Sequence, residues 1–141
     1  MHGVKEITME EKKIIKLPES ELEIMQGIWV LTEEGEKFVS ASMVMKRFPA
    51  LQRLKLTTVL TLITRLQTKG FIRTDKIGRS NCYTPLIPSD EYRRFATGDY
   101  VKKVYLGDKM DLISTLVSDE TLTAEELAEI KAVIAKNEEN K

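Results

Sequence analysis

The chain contains too few of the residues from which enzyme sites and metal centres are usually built. Cys82 is the single cysteine and His2 the single histidine among 141 residues. One cysteine excludes an internal disulfide and a thiolate cluster within one chain, and a lone histidine in the N-terminal leader leaves a His-based triad or metal centre without its residue. The seven glycines are scattered and form no phosphate-binding loop. We therefore expect a protein that is not an enzyme and has no metal or cofactor.

Long apolar runs are also missing. No stretch approaches the roughly 18 residues that a membrane span requires, and residues 1–16 are charged and lack the apolar centre of a signal peptide. We expect a cytoplasmic protein with no membrane partner. Cys82 lies in a predicted strand, where a structural role is favoured over a nucleophilic one.

The net charge is zero, but the charges are unevenly distributed. Residues 1–36 carry four Lys and nine Glu, residues 37–79 carry ten Lys or Arg and one acid, and residues 80–141 carry eight bases and twelve acids. The middle segment is therefore strongly basic. Such a segment is the electrostatic footprint of a protein that binds a phosphate backbone. On charge alone, a solvated basic surface explains it equally well.

A first helix is predicted over residues 19–31. Apolar residues recur there at helical spacing, and Ser20 and Glu23 have the spacing of a capping box. Gly27 within this helix indicates close packing of another element.

Two further helices and a hairpin follow. A short helix is predicted over residues 40–48, and a third over residues 55–69, with Gly70 as its left-handed cap. The predicted buried face of the third helix consists of Leu56, Val59, Leu62, Ile63 and Leu66. Beyond Gly70 the pattern changes to alternation, which predicts strands over residues 71–77 and 81–86 around a basic tip. Three helices and a hairpin, in this order, predict a winged helix-turn-helix.

The C-terminal part predicts three short helices with little core of their own. Thr123 and Glu126 form a second capping box. These helices would bury their apolar faces best against a second copy of the chain. We therefore expect a mainly α (α+β) protein with a leader at 1–16, a winged-helix DNA-binding domain at 17–87, a helical dimerisation domain at 88–136 and a frayed tail at 137–141.

The third helix carries the candidate DNA-reading residues. The second helix of a helix-turn-helix enters the major groove, and here the face opposite the core consists of Thr57, Thr58, Thr61, Thr64 and Arg65. Threonine hydroxyls contact phosphates or bases, and the methyl group packs on thymine. The alternative is a neutral exposed face, which is disfavoured because threonine is a mediocre helix former.

Basic residues around this helix are candidate phosphate contacts. Lys76 and Arg79 occupy the hairpin tip, where a solvated loop charge is the alternative. Four more flank the turn before the third helix, namely Lys46, Arg47, Arg53 and Lys55.

Two segments carry a family likeness. They are LPESELEIMQGIW at positions 17–29 and TVLTLITRLQTKGFI at positions 58–72, and the later YTPL at 83–86 and VKKVY at 101–105 extend it. The sequence resembles the penicillinase-repressor family (BlaI/MecI/CopY) over about residues 17–136. This resemblance implies a homodimer that binds an inverted-repeat operator and represses resistance or stress genes, with Thr58, Thr61 and Arg65 at DNA-contacting or framing positions. It further implies release of DNA after cleavage by a sensor protease or on binding metal.

The sequence departs from the family pattern at three places. Leu60 stands where many members have Arg between the two motif threonines, which removes a contact. Asp99 and Tyr100 stand where members that respond to β-lactams have an Asn-Phe scissile bond, so they mark the candidate proteolytic site. The C-terminus has no cysteine, which disfavours copper sensing through paired Cys-x-Cys motifs.

The sequence thus predicts a homodimeric repressor of double-stranded operator DNA. A winged helix that binds an acidic protein partner is the alternative, since an outward Leu60 suits a protein groove as well as a thymine methyl. A hydrolase or metal enzyme would need a site that the sequence does not supply.

Overall fold

The computed structural model describes residues 13–118 and 120–141, and that part of the chain is mainly helical with one small sheet. The helices are α1 (Glu19–Glu33), α2 (Ala41–Arg47), α3 (Leu56–Thr68), α4 (Ser89–Val104), α5 (Lys109–Val117) and α6 (Ala124–Glu139), with a 3-10 turn at Pro49–Arg53. The antiparallel strands are β1 (Ile72–Ile77) and β2 (Ser80–Pro85). This order is that of a winged helix followed by further helices, as the sequence predicts. Most of the predicted leader, residues 1–12, lies outside the described residues.

The capping box predicted at the start of α1 is wrong. Pro18 is the N-cap residue and makes no side-chain cap. Ser20 is therefore already the second helical residue, too late to cap the first turn. The carboxylate of Glu23 instead accepts hydrogen bonds from Arg53, at 2.7 and 3.0 Å. A proline at this position sets the helix start by restricting its own φ to about −65°.

Gly27 allows α1 and α2 to approach closely, as its place in the sequence suggests. A Cβ atom at this position would lie 2.6 Å from Cγ1 of Val44 and 3.2 Å from Cδ2 of Phe48. Val44 is fully buried on α2. The hydroxyl of Ser40 caps α2 by accepting a hydrogen bond from the backbone N–H of Met43 at 3.3 Å.

Helix α3 packs against α1 through one apolar face. Its buried residues are Val59, Leu62, Ile63 and Leu66. Leu56, predicted to belong to this face, is instead 49% exposed. Side chains on a helix lean toward its N-terminus, so the side chain of the first residue extends past the helix end rather than over the core. Gly70 follows the helix with a φ of +82°, which confirms the predicted left-handed cap.

The hairpin has a two-residue turn at Gly78 and Arg79. Its register pairs Ile72 with Pro85 and Ile77 with Ser80. Gly78 has a φ of +63°, which favours glycine at this turn position. The hairpin is attached to the helices because the Tyr83 N–H donates to the carbonyl of Val39 at 2.8 Å.

An aromatic cluster brings the first turns of α4 into the core of the winged helix. The Tyr92 ring lies 5.6 Å from that of Trp29 and 5.7 Å from that of Phe71. Its hydroxyl accepts a hydrogen bond from the backbone N–H of Leu17 at 2.9 Å. The indole N–H of Trp29 donates to the carbonyl of Ile87 at 2.8 Å in the buried interior. The first compact unit consequently runs as far as Ala96.

The second compact unit begins at Thr97 and contains the rest of α4 together with α5 and α6. Asp108 caps α5, and Thr123 and Glu126 form the predicted capping box of α6. Helix α6 continues to Glu139, into the predicted tail. Neither α5 nor α6 contains a buried residue. The assignment of 17–87 to DNA binding and 88–136 to dimerisation stays a prediction.

No helix in the described part of the chain is long and apolar enough to cross a membrane.

Replacing Gly27 with Ala tests the close approach of α1 and α2. Alanine favours a helix interior by about 1 kcal/mol over glycine, but its Cβ would overlap the buried Val44 side chain. We expect Gly27→Ala to lower the free energy of unfolding by about 1–3 kcal/mol, measured by urea denaturation. Gly98 in α4 is the matched control, because a Cβ atom added there would meet no neighbouring side chain within 4 Å. Gly98→Ala is expected to stabilise by about 0.5–1 kcal/mol; equal effects of the two substitutions would contradict the close approach.

Candidate nucleic-acid interface

The face of α3 opposite its buried stripe is exposed along its whole length. Thr57, Thr58, Thr61, Thr64 and Arg65 are all exposed, as the helical spacing predicts. The structure therefore places the four predicted reading residues, with Thr64, on one helix surface. Lys55 immediately precedes them as the N-cap residue, in an extended conformation and without a side-chain cap.

The threonine hydroxyls on this face fall into two groups. The hydroxyl of Thr61 donates to the carbonyl of Thr57, and that of Thr64 donates to the carbonyl of Leu60, both at 3.0 Å. A hydroxyl that donates to the helix backbone still has lone pairs to accept a hydrogen bond from outside. For the hydroxyls of Thr57 and Thr58, no partner is found within residues 13–118 and 120–141. Thr57 and Thr58 can therefore donate to an incoming acceptor, whereas Thr61 and Thr64 offer acceptor oxygens.

Four of the ten basic residues between positions 37 and 79 are held in ion pairs. Arg47 pairs with Glu34 at 3.0 Å, Arg53 with Glu23 at 2.7 Å, Lys69 with Glu21 at 2.5 Å and Arg73 with Asp75 at 2.8 Å. Three of the four carboxylates belong to α1 or its C-cap. Arg47 and Arg53, both candidate phosphate contacts from the sequence, thus already have intramolecular partners.

The pKa values of Glu23, Arg53 and Arg47 are shifted by their ion-pair partners. Hydrogen bonds from Arg53 hold the pKa of Glu23 below its ordinary value, against a smaller opposing effect of burial. The same bond raises the pKa of Arg53, and the hydrogen bond to Glu34 raises that of Arg47. The carboxylate of Glu23 is therefore ionised near neutral pH, as its ion pair with Arg53 requires.

The other six bases of the segment form no ion pair among the described residues. They are Lys37, Lys46, Lys55, Arg65, Lys76 and Arg79, and all are exposed. Five of them are predicted site residues. Lys37 counts in the basic segment, but no motif or spacing in the sequence singles it out. The structure also shows which basic residues form ion pairs and which do not among the described residues. The sequence alone does not show this difference.

Two contacts fix α3 relative to its neighbours. At its C-terminal end, Lys69 reaches back to the buried carboxylate of Glu21 on α1. On the hairpin side, the hydroxyl of Thr74 donates to the side-chain oxygen of Gln67 at 2.7 Å. The hairpin that carries Lys76 and Arg79 is thereby held against α3.

A shallow groove of about 160 Å³ lies beside the exposed face of α3. Its lining consists of Ser40, Ala41, Ser42, Leu56, Leu60, Ser80, Asn81 and Tyr83. Leu60 points outward and is 39% exposed. Burial raises the pKa of Tyr83, and a hydrogen bond involving Asn81 partly offsets this effect, so the phenol is neutral at physiological pH.

The remaining candidates lie elsewhere in the chain. Asp99 and Tyr100 are both helical residues of α4, and Asp99 pairs with Lys103 at 3.0 Å. Cys82 is a free, buried cysteine on β2. In the part of the chain that the structure describes, no three His, Cys, Asp or Glu side chains are grouped so as to hold a metal ion.

Comparison with known proteins agrees with this geometry. A family model described as penicillinase repressor matches residues 17–136. The methicillin resistance regulatory protein MecI of Staphylococcus aureus (strain N315) is 27% identical over 126 residues, which cover 89% of this chain and 98% of MecI. The penicillinase repressor of Bacillus licheniformis is 25% identical over 130 residues, covering 92% and 98%, and that of Staphylococcus aureus is 26% identical over 122 residues, covering 86% and 93%. The chain belongs to the penicillinase repressor family of transcriptional regulators.

Proposed function

We propose that the protein is a homodimeric repressor that binds an inverted-repeat DNA operator. The observation that carries this proposal is the exposed face of α3, where threonines and Arg65 are accompanied by bases without ion-pair partners among the described residues. The names of its relatives, a methicillin resistance regulator and penicillinase repressors, support control of resistance genes.

In this proposal, α3 lies in the major groove. Thr57, Thr58, Thr61 and Arg65 face the base edges, and Arg65 has the donor geometry for guanine or phosphate. Lys46, Lys55, Lys76 and Arg79 bind the phosphate backbone, which positions the helix without reading sequence. The hydroxyls of Thr57 and Thr58, which have no partner among the described residues, can donate to acceptors on the base edges such as guanine O6 and N7 or thymine O4.

The exposed apolar side chains of the second compact unit support dimerisation. The helices α5 and α6 and the loop before them leave Leu106, Met110, Ile113, Leu116, Val117, Val133 and Ile134 exposed. Leu106 is 91% exposed and has a φ of +50°, a conformation that costs a leucine about 1–2 kcal/mol. Burial against a second copy would remove these surfaces from water.

Cleavage between Asp99 and Tyr100 by a sensor protease is the proposed route of release. Both residues lie within α4, and a protease binds its substrate in an extended form. The helix must therefore open locally before this bond can be cut. Cleavage of the folded protein is then slow unless the protease recognises the repressor and stabilises the opened segment.

Fluorescence anisotropy of the full-length protein on the DNA upstream of its own gene and of neighbouring genes tests the proposed function. We expect a dissociation constant near 10⁻⁸ M or lower, about 10³-fold tighter than on a shuffled duplex. Equal, weak binding to every fragment and to the shuffled control would overturn the repressor proposal, and a winged helix that binds an acidic protein would then be favoured.

The salt dependence of binding distinguishes free from paired arginines in the hairpin. Arg79 forms no ion pair among the described residues, whereas Arg73 is held by Asp75 at 2.8 Å. The two substitutions Arg79→Gln and Arg73→Gln change the net charge equally. Since each phosphate contact contributes about 0.9 to the log–log salt slope, we expect Arg79→Gln to reduce the slope of a dimer by about two and Arg73→Gln to leave it nearly unchanged. The same reduction for both variants would assign the effect to overall charge rather than to a contact.

A charge placed on the apolar face of α5 tests dimerisation. Leu116 is 56% exposed, and an aspartate there would be buried without a partner in a dimer. We expect Leu116→Asp to sediment as a monomer at micromolar concentration while the parent chain sediments as a dimer. Thr115→Asp adds the same charge to the polar side of the same helix and is expected to leave the dimer intact. A monomeric parent chain would contradict this part of the proposal.

A further inference from the structure

Two exposed leucines border the polar face of α3, the proposed recognition helix. Leu56 and Leu60 are one turn apart on α3 and are 49% and 39% exposed. Both line the shallow groove that Ser42 and Asn81 also line. The spacing of four residues brings their side chains next to each other on the helix surface. They thus form a small continuous apolar patch.

The surroundings of this patch are cationic and contain no free acid. Lys55 directly precedes Leu56, and the groove that the two leucines line contains no acidic side chain. The single acid between positions 37 and 79, Asp75, is engaged by Arg73. The ligand that matches this arrangement presents apolar groups between rows of negative charge. The major groove of DNA does so wherever thymine places its C5-methyl group between two phosphate backbones.

The hydrogen bonds on the exposed face of α3 also favour an apolar contact. Beside the two leucines, the hydroxyls of Thr61 and Thr64 donate to backbone carbonyls of α3 itself. Around Leu60, two of the threonine protons are thus already engaged, and the leucine side chain itself can make only apolar contacts. A contact from Leu60 to a base therefore reads shape and methyl groups, since leucine has no hydrogen-bonding group.

We propose that Leu56 and Leu60 read the C5-methyl groups of thymines in each operator half-site, and so determine part of the operator sequence. This inference rests on the proposed function, since it requires α3 to lie in the major groove. Leu60 is the principal contact, because the neighbouring turns of α3 around it carry Thr57, Thr61 and Thr64 of the proposed reading face, whereas Leu56 is the first residue of the helix.

Replacing a thymidine of the duplex with deoxyuridine removes the C5-methyl group of one base and leaves base pairing intact. The operator is first selected with the full-length protein from a duplex library with a randomised centre, and each thymine of the selected site is then replaced in turn. Burial of one methylene-sized group contributes roughly 0.8 kcal/mol, or about a fourfold change in affinity. We expect at least one thymine in each half-site whose replacement weakens binding by about fourfold.

The variant Leu60→Ala tests whether this leucine is responsible. It is expected to bind the thymine and deoxyuridine duplexes with nearly equal affinity at that position, because the contact is already lost. Leu86→Ala is the control, since Leu86 is similarly exposed, at 45%, but lies just after β2 and outside the recognition helix. That variant should retain the fourfold difference. For each variant, the measured quantity is the ratio of its affinities for the two duplexes. This ratio does not depend on how much folded protein a preparation contains.

The outcomes separate the inference from the function on which it rests. If no sequence is enriched from the library, the proposed repressor function fails. If a sequence is enriched but no thymine shows a methyl effect, or if Leu60→Ala keeps the full effect, the function stands and methyl readout by Leu60 is wrong.

Discussion

The burial of one face of α3 against α1 is the constraint on which the rest of the structure depends. Val59, Leu62, Ile63 and Leu66 have their positions in the core, and a helix with one face buried has its opposite face fixed toward solvent. The orientation of the threonines and Arg65 thus follows from packing rather than from any contact of their own. The ion pair between Lys69 and the buried Glu21 holds the far end of the same helix. A buried carboxylate that lost this partner would be costly, so the pair also restricts rotation of α3.

Much of the fold and of the candidate site could be predicted from the sequence because the relevant signals are local. The 3.6-residue spacing in α3 identified its buried and exposed faces, and Gly70 and Gly78 marked a helix end and a turn through conformations that glycine readily adopts. The capping box of α6 is predicted correctly from Thr123 and Glu126, because both of its hydrogen bonds form within the first turn of the helix. The residue spacing alone fits either DNA or an acidic protein as the ligand. The family resemblance indicates DNA.

The features that could not be predicted depend on contacts between distant residues. Glu23 has the spacing of a capping residue, but Arg53, thirty positions later, binds it instead. Leu56 fits the apolar spacing of α3 and is nevertheless exposed, because periodicity does not show where the neighbouring helix ends. Tyr92 lies in the segment 88–136, for which the sequence predicts dimerisation, whereas its ring packs with Trp29 and Phe71 in the winged helix. The pairing of four bases with acids is likewise a property of the folded chain.

The carboxylates supplied by α1 and its C-cap have a consequence for discrimination among the many sites of a genome. Random DNA attracts a repressor almost entirely through its phosphates, and every cation that is free adds to that attraction. Glu21, Glu23 and Glu34 occupy three cations of the basic segment, so a random duplex must compete with a partner already in place. In the proposed repressor the acids would thereby lower the attraction to the phosphates of any duplex and leave the exposed face of α3 unchanged. A larger share of the affinity for an operator would then have to come from contacts of α3 with the bases, which random DNA does not offer.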